Sequence, residues 1–217
     1  MSGTGLTRTQ RLFVRGLHHA LQLRFGGSWL VVHEESMATL GWARFLKFLK
    51  DGTMMVTELT KRFGEADAQF SVSLAAMWNG CGVCSYGHSL AGSLLVFRDT
   101  GRLHPLCPEV IDELQDLRND DAAARLDTLL AGEEHAQLRR IAAQMYALRM
   151  GRVLPRSVDD RVIEATSRMW DWYTECSIVV GMTLRPEDAS CQGHPVGRDT
   201  ELLARYGQAR AEERSGS

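Results

Sequence analysis

The sequence predicts an all-α fold, and three observations support this prediction. All five prolines lie after residue 104, so the first half holds none of the strongest helix breakers. Apolar residues in that half recur at steps of three and four, without sustained alternation of apolar and polar residues. Glycine-containing steps follow several of these periodic segments, as expected where helices end. We expect one all-helical domain over residues 1–184 and a polar, flexible extension over residues 185–217.

The first half of the chain divides into four predicted helices. Their approximate bounds are Thr7–Phe25, Ser36–Lys50, Thr53–Phe63 and Asp67–Trp78. The Asp51-Gly52 step separates the second from the third. The Asn79-Gly80 step ends the fourth directly before Cys81, so the next helix is expected to begin at that cysteine.

The second half is expected to hold five more helices. Their approximate bounds are Cys81–Phe97, Pro108–Leu117, Asp120–Leu130, Glu133–Met150 and Ser157–Leu184. Ser157 followed by Asp160 resembles a capping box, and Pro186 closes the last helix. The chain then becomes polar and glycine-rich. Its end, QARAEERSGS, has little apolar surface to bury, which predicts a mobile tail.

Composition and charge exclude several classes of protein. Lys and Arg number 25 against 27 for Asp and Glu, a formal net charge of -2, so we expect no nucleic-acid partner. No apolar run approaches the roughly 20 residues of a membrane helix, and the start lacks the apolar core of a signal peptide. We therefore expect a cytoplasmic protein without a membrane partner. The five cysteines are an odd number, which disfavours a structural disulfide framework.

The segment NGCGVCSYGH contains the residues with the clearest chemistry. Cys81 and Cys84 form a C-x-x-C pair at the expected start of a helix, where free N–H groups and the helix dipole favour a thiolate. This helix start, together with His88, predicts a lowered pKa for Cys84. His88 lies one turn further along the same face, within reach to move a proton. Two cysteines at this spacing can also close a disulfide, so that one attacks and the other resolves.

The stretch QFSVSLAAMWNGCGVCSYGH, from Gln69 to His88, resembles the signature of AhpD-like alkylhydroperoxidases within the carboxymuconolactone decarboxylase superfamily. The close match covers roughly residues 55–100, and the remainder agrees only in being helical. The resemblance implies an AhpD-like helical bundle that assembles as a trimer or hexamer. It implies that Cys84 attacks a hydroperoxide, Cys81 resolves the sulfenate and His88 relays the proton. It also implies no bound cofactor, and re-reduction by a thiol or lipoyl-protein donor.

The chain departs from the family pattern at Gln69. The family's relay has a glutamate twelve residues before the first cysteine, and this chain has Gln69 there. A glutamine can orient His88 but cannot accept a proton. The carboxylates that we consider as replacements are Glu65, Asp67, Glu133, Glu134 and Glu175.

Three other interpretations remain open at this point. Cys81, Cys84 and His88 are ligands of the types that zinc prefers, with Cys107 or His104 as the fourth, in a non-enzymatic assembly or binding protein. The two thiols can also be inert residues at a buried helix start. A lactone decarboxylase of the wider superfamily is the third, although a dithiol has no evident role in that reaction.

Overall fold

The computed structural model describes the backbone of residues 5–25, 30–181 and 194–216, and their side chains except those of 30–32 and 172–181. Within these ranges all regular structure is helical, which confirms the all-α prediction. The helices are α1 Arg8–Phe25, α2 Leu30–Phe63, α3 Glu65–Trp78, α4 Gly82–Thr100, α5 Pro108–Gln115, α6 Asn119–Leu129, α7 Ala136–Arg149, α8 Val158–Gly181 and α9 Thr200–Gly216. Two 3₁₀ turns, Glu133–His135 and Pro195–Arg198, precede α7 and α9. None of these helices combines the length and apolar character that crossing a bilayer requires.

Helix α2 differs from the sequence prediction. Its 34 residues continue through Asp51-Gly52, so the predicted break there is wrong. Gly52 faces α8, where a Cβ atom would lie 3.8 Å from the Met169 side chain, so this glycine belongs to a helix–helix contact. The irregularity falls at Gly41, whose φ of 69° and ψ of 177° are non-helical. A positive φ of this kind favours glycine.

The start of α8 follows the sequence prediction. The Ser157 N–H donates to the Asp160 carboxylate at 2.9 Å, and the Asp160 N–H donates to the Ser157 hydroxyl at 3.0 Å. These reciprocal bonds are the capping box that the spacing predicts. The predicted end of this helix, with Pro186, lies outside the described residues, as do Cys191 and the side chain of Cys176.

The centre of the core is the pair α3 and α4. Eleven of the 14 residues of α3 are buried, and this helix also contacts α2, α5, α7 and α8. Small residues allow α3 and α4 to approach closely, and Gly92 lies against the ring of Phe70. The Ser73 hydroxyl donates to the Ser85 carbonyl at 2.7 Å, so its polar group is satisfied inside the core.

Part of the C-terminal segment packs against α4, within the range for which the sequence predicts a polar, flexible extension. Leu202 and Tyr206 of α9 are buried in a cluster with Ala91, Leu94 and Phe97 of α4. The expectation that QARAEERSGS has little apolar surface to bury concerns the residues after these two and stays a prediction. Two apolar side chains one turn apart are enough to form a contact earlier in this charged helix. The division of the chain at residue 184 stays a prediction.

Candidate functional site

The turn between α3 and α4 fixes the position of the two cysteines. The backbone N–H of Asn79 and that of Cys81 both donate to the Ala76 carbonyl, at 3.1 and 3.0 Å. Gly80 has a φ of 77°, a left-handed conformation that most side chains disfavour. The chain reverses within this turn, so that Cys81 becomes the N-cap of α4 and Cys84 lies in its first turn.

Cys81 and Cys84 are joined by a disulfide, with their Cα atoms 5.4 Å apart. The C-x-x-C spacing is compatible with this pairing. The two residues are only 3% and 4% exposed, and both belong to the main apolar cluster. The oxidised pair therefore lies beneath the surface, at a helix N-terminus.

The second pair of predicted site residues, Gln69 and His88, also meets in the structure. The His88 Nδ1 atom lies 2.8 Å from the Gln69 Oε1 atom, across the α3–α4 contact. Since an amide oxygen only accepts, Nδ1 carries the proton and donates, which leaves a lone pair on Nε2. Gln69 is 1% exposed and His88 is 6% exposed. The glutamine thus fixes both the orientation and the tautomer of the histidine.

The electrostatic surroundings keep His88 neutral. The pKa of His88 is lowered to about 3, mainly by burial and to a smaller extent by the neighbouring His194. The ring also packs edge-on against Trp170, with 5.7 Å between ring centroids. At pH 7 the imidazole is therefore a base and not a cation. The charge that His88 was expected to contribute toward a lowered Cys84 pKa is absent, whereas the helix N-terminus remains.

Three histidines share this kind of environment, and we call them the buried histidines: His33, His88 and His104. Burial is the main cause of their lowered pKa values, which are about 4, 3 and 3 respectively. In the folded protein all three imidazoles are therefore uncharged at neutral pH.

Three of the five candidate replacement carboxylates have partners other than His88. The structure places them as follows: Glu65 by Arg98 at 3.4 Å, Asp67 by Gln137 at 2.6 Å, and Glu134 by Arg102 at 3.2 Å. Glu133 is exposed, and the side chain of Glu175 lies outside the described residues. Gln69 is therefore the residue, among these candidates and their surroundings, that the structure places at hydrogen-bond distance from His88.

The zinc ligands considered from the sequence are not brought together. The Cys81 and Cys84 sulfurs are bonded to each other. Cys107 and His104 line a cavity next to α9 that is not lined by Cys81, Cys84 or His88. Among the described residues, no group of three or more His, Cys, Asp and Glu side chains is placed to hold a metal ion.

Two neighbours of His88 escaped the sequence analysis. Trp170 comes from α8, and His194 precedes the 3₁₀ turn at Pro195–Arg198. The His194 Nδ1 atom accepts from the Val196 N–H at 3.1 Å, and Val196 packs against α4. Neither residue lies at a spacing that connects it to the C-x-x-C segment, so only the tertiary packing reveals them.

Comparisons of the chain with family models, with curated proteins and with solved structures found no match. The function of the site is therefore inferred from its own residues.

Proposed function

We propose that this protein is a thiol-dependent peroxidase that resembles the AhpD-like alkylhydroperoxidases. The observation that supports this most strongly is the Cys81–Cys84 disulfide at the start of α4, in the same hairpin as the buried Gln69–His88 pair. A reversible disulfide and a neutral imidazole with a free lone pair are the two groups that thiol peroxidation needs. The same dithiol would also serve a disulfide reductase.

In the reduced protein the cycle begins at Cys84. His88 accepts the thiol proton at Nε2, and the sulfur attacks the terminal oxygen of the hydroperoxide. An S–O bond forms, the O–O bond breaks, and the departing alkoxide takes the proton from His88 to leave as an alcohol. Cys81 then attacks the sulfenic sulfur, water leaves, and the disulfide forms. A dithiol reductant restores the two thiols by exchange.

Gln69 acts as a positioning residue in this cycle. Its amide oxygen holds the Nδ1–H tautomer, so that Nε2 remains the proton acceptor. It does not take a proton itself. The imidazolium that forms during attack is therefore stabilised less than it would be beside a carboxylate.

The expected partners are a hydroperoxide, a thiol or lipoyl-protein reductant and further copies of the chain. Exposed apolar side chains on α1 and α2 support self-assembly, because such surface is poorly solvated in a monomer. The most exposed of them are Leu12, Leu23, Leu46 and Met54. The proposal retains a trimer or hexamer as the expected assembly.

The test is peroxide consumption with a dithiol reductant, together with a matched pair of variants. Cys84→Ser should lose dithiol-supported turnover. Cys81→Ser should lose turnover but still form a sulfenic acid at Cys84, which a dimedone adduct and peptide mass mapping detect. Equal rates for the wild type and Cys84→Ser would reject the proposal. Bound zinc with no titratable vicinal thiols would instead favour the zinc-stabilised assembly protein.

A further inference from the structure

A polar cavity of about 540 Å³ lies between α9 and the loop that leads into α5, apart from the disulfide site. Its lining includes Cys107, His104, His135, Arg102 and Arg210. Cys107 is a buried free cysteine, and none of the residues of the disulfide site lines this cavity.

The thiol of Cys107 is held by charged groups on both sides. The Arg210 Nη2 atom lies 2.8 Å from the Cys107 sulfur and 3.1 Å from a Glu109 carboxylate oxygen. Cys107 is also the N-cap of α5, and its sulfur accepts from the Val110 N–H. The thiol in turn hydrogen-bonds to Glu109. A nucleophile, a base and a cation are thus in mutual contact.

Arg210 keeps one donor for a ligand. Its side chain is 13% exposed, and its Nε atom is buried without a hydrogen-bond partner in the part of the chain that the structure describes. A buried donor without a partner is costly in a folded protein. An oxygen atom inside the cavity would satisfy it.

The balance of pKa values determines which group must move the proton. Burial raises the pKa of the Cys107 thiol, although the Val110 N–H and Arg210 act in the opposite direction. The resting thiol is therefore protonated and needs a base. Burial also raises the pKa of Glu109, but its own backbone N–H, Cys107 and Arg210 outweigh this and hold it below its usual value. Glu109 is thus an ionised acceptor beside the thiol.

We propose that Cys107, Glu109 and Arg210 form a second thiol site, which reduces a small polar hydroperoxide such as hydrogen peroxide. Glu109 takes the thiol proton while the sulfur attacks one peroxide oxygen. The S–O bond forms and the O–O bond breaks. Arg210 stabilises the departing oxyanion, which then takes the proton from Glu109 and leaves as water or an alcohol. Cys107 is oxidised by two electrons to a sulfenic acid, and the peroxide is reduced.

The surroundings of the sulfur select for a small oxidant. Cys107 is only 2% exposed, so a protein disulfide or a bulky lipid hydroperoxide cannot align with its sulfur. The charged and imidazole side chains of the cavity favour a polar molecule over an apolar one. This site does not depend on the peroxidase cycle proposed for Cys81 and Cys84.

The direct test is trapping of the sulfenic acid in the full-length folded protein. Hydrogen peroxide is added to the folded or the denatured protein for timed intervals and removed by rapid gel filtration. Dimedone is then added in denaturant, so that it reaches the sulfur in both samples, and peptide mass mapping follows Cys107 separately from the other cysteines. We expect Cys107 to be labelled at least tenfold faster in the folded protein than in denaturant, and equally fast in a Cys81→Ser/Cys84→Ser variant. Equal or slower labelling in the folded protein would overturn the proposal, whatever happens at the disulfide site.

Three variants separate chemistry from packing. Arg210→Gln and Glu109→Gln should each slow labelling of Cys107 at least tenfold, because each removes a group that acts on the reacting atoms. Arg205→Gln, which removes an exposed arginine from the same helix, should change the rate less than twofold. If Arg210→Gln lowers the melting temperature enough to release α9, Glu109→Gln decides, since that side chain is 45% exposed. Unchanged rates in a folded Glu109→Gln variant would refute the assigned base.

Discussion

Replacing Gln69 by glutamate changes the proposed relay by one functional group. The amide oxygen lies 2.8 Å from His88 Nδ1, and Gln69 is 1% exposed. Gln69→Glu keeps the size and the acceptor but adds a charge and the capacity to take a proton. We expect the variant to reduce hydroperoxide faster than the wild type.

The magnitude follows from the pKa of His88. Burial lowers that pKa to about 3, and an opposite charge at hydrogen-bond distance raises a histidine pKa by roughly 1–3 units. Each unit corresponds to about 1.4 kcal/mol less cost for placing the proton on His88 during attack. Even a small part of this gain reaching the transition state gives an increase of several-fold.

The same substitution should destabilise the fold. Burying a carboxylate costs several kcal/mol, and a charge-assisted hydrogen bond from His88 returns about 1.5–3 kcal/mol. We expect a net loss on the order of 1–3 kcal/mol in the free energy of unfolding. For a chain of this size, each kcal/mol lowers the melting temperature by about 2–4 °C.

The assay measures dithiol-supported peroxide turnover and the melting temperature on the same samples. Gln69→Met, which removes the acceptor at similar volume, should slow turnover. Gln10→Glu serves as the matched control, because it adds the same charge in the first turn of α1, where Gln10 accepts from the Thr7 N–H at 2.9 Å. Neither its rate nor its stability should change appreciably.

Two outcomes would contradict different parts of the reasoning, the first the role of Gln69 and the second the proposed function. A folded Gln69→Glu variant with unchanged turnover would show that Gln69 is not the missing member of the relay, for example because the side chain of Glu175 already serves. An inactive native protein that gains activity on substitution would show that the natural function has moved away from peroxide reduction.

Four further predictions concern stability and assembly. The buried histidines have pKa values of about 3–4 in the folded protein and about 6.5 in the unfolded chain, so the unfolded chain binds more protons as the pH falls below 6.5. Each histidine should therefore lower the free energy of unfolding by about 2 kcal/mol by pH 5. Urea unfolding at pH 7.5 and 5.0 measures this loss, and coinciding curves would contradict it. Gly92→Ala should destabilise by about 1–3 kcal/mol, since its Cβ atom would lie 3.0 Å from the Phe70 ring. By contrast, an added Cβ atom at Gly16 meets no atom of the described residues within 4 Å, so Gly16→Ala should stabilise α1 by about 0.5–1 kcal/mol, and thermal melts compare the two variants. Light scattering should show a trimer or hexamer, and a monomer at all concentrations would count against assembly.

Local signals made most of the fold predictable. Apolar spacing and helix-end residues locate α3, α4 and the capped start of α8, because each depends on neighbours within one or two turns. The helix break predicted at Asp51-Gly52 is wrong because Gly52 packs against α8, and this tertiary contact outweighs the local preference of the step. Helix α9 was missed because Leu202 and Tyr206 are its two fully packed apolar side chains, and they contact a site distant in the sequence.

The candidate site divides in the same way. Gln69 and His88 are 19 positions apart within one hairpin, so the C-x-x-C segment and the helix spacing together indicate their neighbours. Cys107 and Arg210 are separated by 103 positions, and no periodicity connects them. Contacts of this second kind depend on how the helices pack, which a single sequence does not specify.

Burial of the disulfide makes its re-reduction a gated process. The bulk of a protein reductant cannot approach sulfurs whose residues are 3% and 4% exposed, and thiol–disulfide exchange requires an in-line approach to one of them. The α3–α4 turn must therefore open transiently before such a reductant can act. The observed rate of disulfide reduction should saturate at the opening rate of the turn as the concentration of the protein reductant rises. A small dithiol that diffuses to the sulfurs should instead remain first order in concentration over the same range.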